Sequence, residues 1–320
     1  MKKGDLRIVF MGTPEFAVAT LRALVENDYN VVAVVTQPDK PVGRHGSVLQ
    51  PSAVKLFAQE HGLPVLQPEK MKDPAFVEQL RAYHANLQVV VAFRMLPEVV
   101  WSMPEYGTFN VHAALLPQYR GAAPINWAII NGETLTGVTT FFLDHDIDTG
   151  QIIMNKPCPI ADDDNVETVY NQLMGLGAEV CLETIEAIIE ADGYPVRYAQ
   201  QDTGELKLAP KIFKETCQIN WQLPVKRIYD FVRGLSPYPG AWTTLVDADG
   251  RETVLKIFRT TKTDLSALKP GTITTDRRQL FISTADCLLQ IDELQLAGKK
   301  RMDAVAFLNG MKDIDKYFVR

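Results

Sequence analysis

An amide, an imidazole and a group of carboxylates are the side chains of this sequence whose types and spacing suit catalysis. Asn110 and His112 stand two apart in the run Asn110-Val111-His112-Ala113-Ala114-Leu115-Leu116-Pro117. Thr108 to Ala114 reads as a buried strand, in which residues i and i+2 face the same side, so the carboxamide and the imidazole would address one pocket. A carboxamide can donate to a developing oxyanion, and an imidazole can move a proton near neutral pH. What this pair lacks is a carboxylate to orient the histidine. The run Asp144-His145-Asp146-Ile147-Asp148-Thr149-Gly150 offers three, and one of them folded back beside His112 would complete a set suited to acyl transfer. The residues alone leave two readings open. One is that catalytic set; the other is a solvated polar turn beside a strand-end histidine that is merely hydrogen-bonded.

Competing chemistries find less support. There is no Gly-x-Ser-x-Gly run, and Cys158, Cys181, Cys217 and Cys287 lie far apart with no Cys-x-x-Cys pair, so neither a serine elbow nor a reactive thiol is indicated. Without an HExxH or EF-hand pattern no metal is expected. The cysteine spacing also argues against disulfides and for a reduced, cytoplasmic setting.

The elements that must position the pair follow from periodicity. Leu6 to Met11 reads as a strand, Gly12-Thr13-Pro14 as a tight turn, and Phe16, Ala19, Leu21, Leu24 and Val25 recur at helical spacing. Val31 to Val35 and Leu87 to Phe93 read as further buried strands, with helices expected at Ser52 to Glu60, behind a serine cap, and at Asp73 to Ala85. Alternating buried strands and amphipathic helices predict a doubly wound, Rossmann-like α/β domain with a parallel sheet. In such a sheet ligands bind at the carboxyl ends of the strands, where His112 would lie. The first turn has one glycine where a dinucleotide site wants three, and no Gly-Lys-Ser/Thr follows, so Gly12 reads as a turn residue, with an NAD site as the open alternative. Val138 to Leu143 and Gln151 to Asn155 read as strands flanking the aspartate-rich turn. Val166 to Glu190 reads as a long helix whose apolar positions are accounted for by core packing.

From about Gly204 the pattern changes to short alternating strands at Ala241 to Val246, Thr253 to Arg259, Thr272 to Thr275, Leu280 to Ser283 and Leu288 to Leu296, with Asp249-Gly250 as a hairpin turn. This predicts a small OB-like β-barrel, with a helix near Asp303 to Leu308 packed on it. The expected division is 1–203 as the α/β domain, 204–215 as a linker and 216–320 as the barrel.

At 320 residues, 46% hydrophobic and 22% charged, the chain has the composition of an ordinary globular protein with room for two cores; disorder, collagen and coiled coil are excluded. Its longest apolar runs fall far short of the ~20 residues of a membrane helix, and no signal-like apolar stretch stands at the N-terminus, so no membrane partner is expected. The net charge of -6 argues against a polyanionic partner only until it is divided. Residues 1–206 carry 14 basic and 26 acidic side chains, residues 207–320 carry 19 and 13. The second half is thus basic. Lys207, Lys211, Lys214, Lys226, Arg227 and Arg233 gather near its start and Lys299-Lys300-Arg301 near its end. Each of these could be a solvated face, but a basic excess on a small barrel suits a nucleic acid.

The runs His112-Ala113-Ala114-Leu115-Leu116-Pro117 and Tyr119-Arg120-Gly121-Ala122-Ala123-Pro124-Ile125, with Asp148-Thr149-Gly150 downstream, resemble the signature of the folate-dependent formyltransferases. Met11-Gly12-Thr13-Pro14-Glu15-Phe16, Thr36-Gln37-Pro38-Asp39-Lys40-Pro41 leading to Gly43-Arg44, and Gly298-Lys299-Lys300 resemble the branch that acts on methionyl initiator tRNA, over essentially the whole chain. The resemblance implies transfer of a formyl group from 10-formyltetrahydrofolate to the α-amine of methionyl initiator tRNA, by a protein expected to be a monomer. It also implies Asn110, His112 and Asp148 as the catalytic set, with His112 oriented by Asp148. Ala114, Leu115, Leu116 and Pro117 would form the folate-contacting turn. Arg44, Lys211, Lys299, Lys300 and Arg301 are the candidates for tRNA contact. Two departures stand out. Ala114 replaces the serine usual before Leu-Leu-Pro, removing a hydroxyl beside the folate site, and His45-Gly46-Ser47-Val48 replaces the usual glycine and lysines after Arg44. A formyltransferase for a small amine, a formyltetrahydrofolate hydrolase and a non-catalytic RNA-binding protein are the alternatives to be separated.

Overall fold

The computed structural model describes residues 1–43, 48–202, 204–276, 278–311 and 313–320. The chain forms two compact units that alternate along the sequence. Residues 1–121, 136–159 and 170–208 make the first, residues 122–135, 160–169 and 209–320 the second.

Seven strands build the sheet of the first unit, in the order 152–159, 135–142, 108–112, 87–91, 8–12, 31–35, 65–66. Every residue of Ile8–Gly12 and Leu87–Val91 is buried, as a sheet covered on both faces requires. The five strands from Thr108–His112 to Val65–Leu66 run parallel. The chain winds outward from Ile8–Gly12 through Val31–Val35 to Val65–Leu66, then resumes on the other side at Leu87–Val91 and Thr108–His112. That reversal is the expected doubly wound arrangement. Beyond it the sheet is mixed, since Leu135–Phe142 pairs antiparallel with Thr108–His112.

Local signals account for the helices. Ser52 accepts from the Lys55 N–H at 3.0 Å and starts helix Ala53–Glu60; Asp73 accepts from the Ala75 N–H at 3.0 Å and starts Pro74–Arg81, with proline at its first position. The latter stops four residues short of the expected Ala85. Gly12 is needed for packing: a Cβ there would come within 2.6 Å of the Ala17 Cβ and 2.9 Å of the Val91 carbonyl oxygen. The turn therefore uses its single glycine to bring helix Glu15–Glu26 onto the strands. Val9, Met11, Ala33, Val35 and Val90 form one face of the core with Phe76, Val77 and Leu80. Of the long helix Val166–Glu190, the part from Tyr170 onward belongs to this unit, with Leu173, Val180, Ile185 and Ile188 fully buried. Lys40–Val42 and Val48–Gln50 form a small antiparallel ribbon, which the sequence pattern does not signal.

The second unit is the β-barrel. Its strands follow the order 273–275, 280–283, 287–296, 252–266, 241–246, 318–319, all antiparallel. An antiparallel bridge between Thr272 and Phe318 joins the two edges, so the barrel is nearly closed. Gly250 at φ +80° turns the expected hairpin between Ala241–Val246 and Glu252–Ser266. That second strand runs seven residues past the expected Arg259, bending through register shifts near Arg259 and again before Ser266. Leu245, Leu255, Ile257, Ile282, Leu289, Ile291 and Leu294 fill the interior. Helices Pro124–Ile130, Val225–Gly234 and Ala304–Gly310 also belong to this unit. Among the described residues no helix is long and apolar enough to cross a membrane, and no three His, Cys, Asp or Glu side chains form a metal-holding group.

Candidate active site

His112 ends the strand Thr108–His112 at the carboxyl edge of the sheet and is only 6% exposed. Asn110 precedes it by two residues on the same strand, hence on the same face. Among the described residues the Asn110 carboxamide makes no hydrogen bond, so its donors are available to a ligand.

Of the three aspartates in the following turn, the structure selects one. Asp144 is spent locally, accepting from the Asp146 N–H at 3.2 Å and the Thr149 hydroxyl at 2.8 Å. Asp146 is exposed. Asp148 folds inward in a left-handed conformation (φ +56°) and places Oδ2 3.8 Å from His112 Nδ1. The same oxygen accepts from the Gly121 N–H at 2.9 Å.

A backbone carbonyl also orients the histidine. Its Nε2 lies 2.9 Å from the carbonyl oxygen of Tyr119. A carbonyl can only accept, so Nε2 carries a proton and, in the neutral ring, Nδ1 holds the lone pair. Tyr119 is itself left-handed (φ +62°), which belongs to the sharp turn that brings its carbonyl to the ring. The 3.8 Å between Nδ1 and Asp148 exceeds a direct hydrogen bond. The carbonyl therefore fixes the imidazole, and the carboxylate stands across a gap from a basic nitrogen. Such a pair can accept a proton from an N–H group brought into that gap.

Around this pair runs a scaffold that spacing could not reveal. Gln200 donates through Nε2 to the carbonyl oxygens of Asp148, at 2.8 Å, and Gly150, at 2.9 Å. Its Oε1 accepts from Arg120 Nε and Nη2 at 3.1 and 2.7 Å, and Arg120 Nη2 also reaches Asp202 at 2.9 Å. A buried Thr139 donates to the Ala114 carbonyl at 2.7 Å and accepts from the Leu116 N–H at 3.1 Å. It pins the Ala114–Pro117 turn from below. In that turn Ala114 is wholly buried and Leu116 nearly so, while Leu115 and Pro117 keep part of their apolar surface open. Two glycines make room. A Cβ on Gly137 would strike the Lys156 carbonyl oxygen at 2.2 Å and the Leu115 side chain at 2.5 Å, and one on Gly150 would sit 1.6 Å from the Phe142 carbonyl oxygen. Burial raises the thiols of Cys181 and Cys217, the direction that makes a cysteine inert.

The basic candidates are distributed unevenly. Lys299 and Lys300 are exposed and, among the described residues, their ammonium groups have no partner. Arg301 is engaged, donating to both carboxylate oxygens of Glu293 at 2.5 and 2.9 Å and lying 4.2 Å over the Phe258 ring. Lys211 is exposed, its Nζ 5.5 Å from the Phe213 ring centre. Arg44 lies outside the described residues.

Known proteins resemble the chain over both units. Residues 6–185 match the family described as formyl transferase and residues 211–312 the formyl transferase C-terminal domain. A protein of Parabacteroides distasonis named methionyl-tRNA formyltransferase is 61% identical over 323 residues, covering all of both chains. One of the same name from Bacteroides thetaiotaomicron is 57% identical over 99% of each chain. Among solved structures, HypX from Aquifex aeolicus in complex with tetrahydrofolic acid superposes with a TM-score of 0.62 at 20% identity, covering 95% of this chain and 47% of that one. The sugar 3N-formyl transferase WlaRD, solved with dTDP and 5-N-formyl-THF, gives 0.64 at 18% identity, covering 92% and 99%. At such identities the structures speak for the fold.

Proposed function

The chain belongs to the formyl transferase family, and from that premise we propose that it moves a formyl group from 10-formyltetrahydrofolate to the α-amine of methionyl initiator tRNA in the cytoplasm. The relatives of that activity share its full length. The observation that carries the chemistry is the arrangement of His112, whose Nε2 proton is held by the Tyr119 carbonyl while Nδ1 faces Asp148 across 3.8 Å.

An aminoacyl α-amine titrates near pH ~8, so it must arrive without its proton to attack and must lose another once joined to the formyl carbon. As the new N–C bond forms, the carbonyl electrons move onto the formyl oxygen, where the open carboxamide of Asn110 donates a hydrogen bond. His112 Nδ1 takes the amine proton. The imidazolium so formed faces Asp148, whose carboxylate is held in place by the Gly121 N–H. The proton then goes to the folate nitrogen as its bond to the formyl carbon breaks, which returns His112 to its starting state. Leu115 and Pro117 offer the apolar edge against which the folate ring system would lie, with Ala114 and Leu116 packed beneath. Lys211, Lys299 and Lys300 supply exposed positive charge for the tRNA backbone, with Arg44 as a further candidate. Arg301 contributes charge from its place on Glu293.

The test is to supply the purified protein with 10-formyltetrahydrofolate and, in parallel, methionyl initiator tRNA, uncharged tRNA and small amines. Formylation confined to the charged tRNA is expected. Turnover of a small amine, or release of formate without an acceptor, would replace this reading with one of the alternatives.

A further inference from the structure

The second unit contains a recess of about 260 Å³ lined by Ala122, Ala123, Asn126, Lys211, Ile212, Tyr238 and Pro239. Its walls are set rather than loose. The N–H groups of Ala122 and Ala123 both donate to the Ala209 carbonyl, at 2.7 and 3.1 Å, Asn126 donates to the Gly234 carbonyl at 2.9 Å, and the Trp127 indole donates to the Pro210 carbonyl at 2.8 Å. Tyr238, between Pro237 and Pro239, is nevertheless 81% exposed, and Phe213 is 57% exposed beside Lys211. Single exposed apolar side chains are ordinary. Here one open ring lines the recess together with Lys211, and a second lies 5.5 Å from the same ammonium group.

We propose that this recess stacks an unpaired nucleobase of the RNA acceptor on Tyr238, with Lys211 holding the neighbouring phosphate; the inference rests on the tRNA reading above. Alternating aromatic rings and cations are how single-stranded nucleic acids are held, because every base presents a π face and every link a negative charge. An amino-acid side chain would be better served by an enclosed apolar slot. Here the ring keeps most of its surface open and a cation stands at the rim, which suits a base and its phosphate.

Steady-state formylation of methionyl initiator tRNA by the wild type and by Tyr238→Ala, Tyr238→Trp and Tyr238→Leu tests this. The alanine and leucine variants should raise KM about tenfold with kcat nearly unchanged, and the tryptophan variant should restore it. An unchanged KM for Tyr238→Ala, or rescue by leucine as full as by tryptophan, overturns stacking. The same tRNA charged with alanine should show the same factor; a penalty seen only with methionine would give the recess to the amino-acid side chain and overturn the proposal. Binding of a fluorescent tetraribonucleotide ending in adenosine is measured alongside. Failure of the wild type to formylate any charged tRNA sinks the functional reading, whereas loss of Tyr238 dependence in oligonucleotide binding sinks the stacking site.

Discussion

His112 is 6% exposed, with one ring nitrogen on a backbone carbonyl and the other facing a carboxylate that is itself tied to a backbone N–H. Lys299 and Lys300 are exposed, and nothing among the described residues holds their ammonium groups. The contrast matches the roles proposed for each place. Proton transfer fails when its partners are displaced by an ångström, and the imidazole is indeed surrounded by fixed backbone groups. Attraction of a phosphate backbone falls off over a Debye length of roughly 10 Å, so exposed lysines without a fixed partner would suit it.

The contrast can be broken most directly at its rigid end. His112→Ala should lower kcat by about 10²–10⁴-fold, and Asn110→Ala by about 10²–10³-fold, with circular dichroism unchanged. Single-turnover formylation measures both, and near-normal rates in either would remove that residue from the chemistry. A smaller effect tests whether the scaffold matters. Gln200→Ala frees the Asp148 and Gly150 carbonyls and should cost about ten- to hundredfold in kcat while leaving KM for tRNA in place; a pure KM effect would mean that Gln200 touches substrate instead. At the exposed end, Lys299→Ala with Lys300→Ala should weaken tRNA binding at every sequence and lower the slope of log affinity against log salt by about 2. If affinity drops without a change in that slope, these lysines contribute through something other than charge.

The smallest effect concerns the stability of the second unit. Asp286 accepts from the Val225 N–H at 2.7 Å at the start of helix Val225–Gly234, and that N–H, helped by the Thr284 hydroxyl, holds its carboxyl below the usual carboxylate range. A lowered carboxyl stabilises the fold above its unfolded pKa, and the contribution is lost as pH falls through the folded value. Because Asp286 is exposed and screened by solvent, Asp286→Ala should therefore cost only about 0.5 kcal/mol near neutrality. The gap in Tm between wild type and variant should close as pH drops below about 4; a gap that persists in strong acid would assign the effect to packing.

Much of this was legible in the residues. Burial demands apolar runs, so Val31–Val35, Ala241–Val246 and Leu280–Ser283 stand where their composition places them. The shared face of Asn110 and His112 follows from the pleat alone. Strand direction leaves no such trace, which is why the antiparallel pairing of Leu135–Phe142 had to be seen. Periodicity is likewise silent on the Tyr119 carbonyl, because a backbone oxygen is present at every residue and only a left-handed turn aims this one at the ring. Gln200, fifty-two residues from Asp148, is polar in a polar stretch and carries no local signal.

The run Asp148-Thr149-Gly150 reads as a single chemical signature, yet its three letters answer to different masters. The aspartate faces the imidazole of His112. The threonine hydroxyl closes a local loop on Asp144. The glycine is there because the Phe142 carbonyl occupies the space of any larger residue. Redesign of this turn for another acceptor can begin at Thr149, where the cost is one exposed hydrogen bond. It will meet a steric wall at Gly150 long before any catalytic demand is felt.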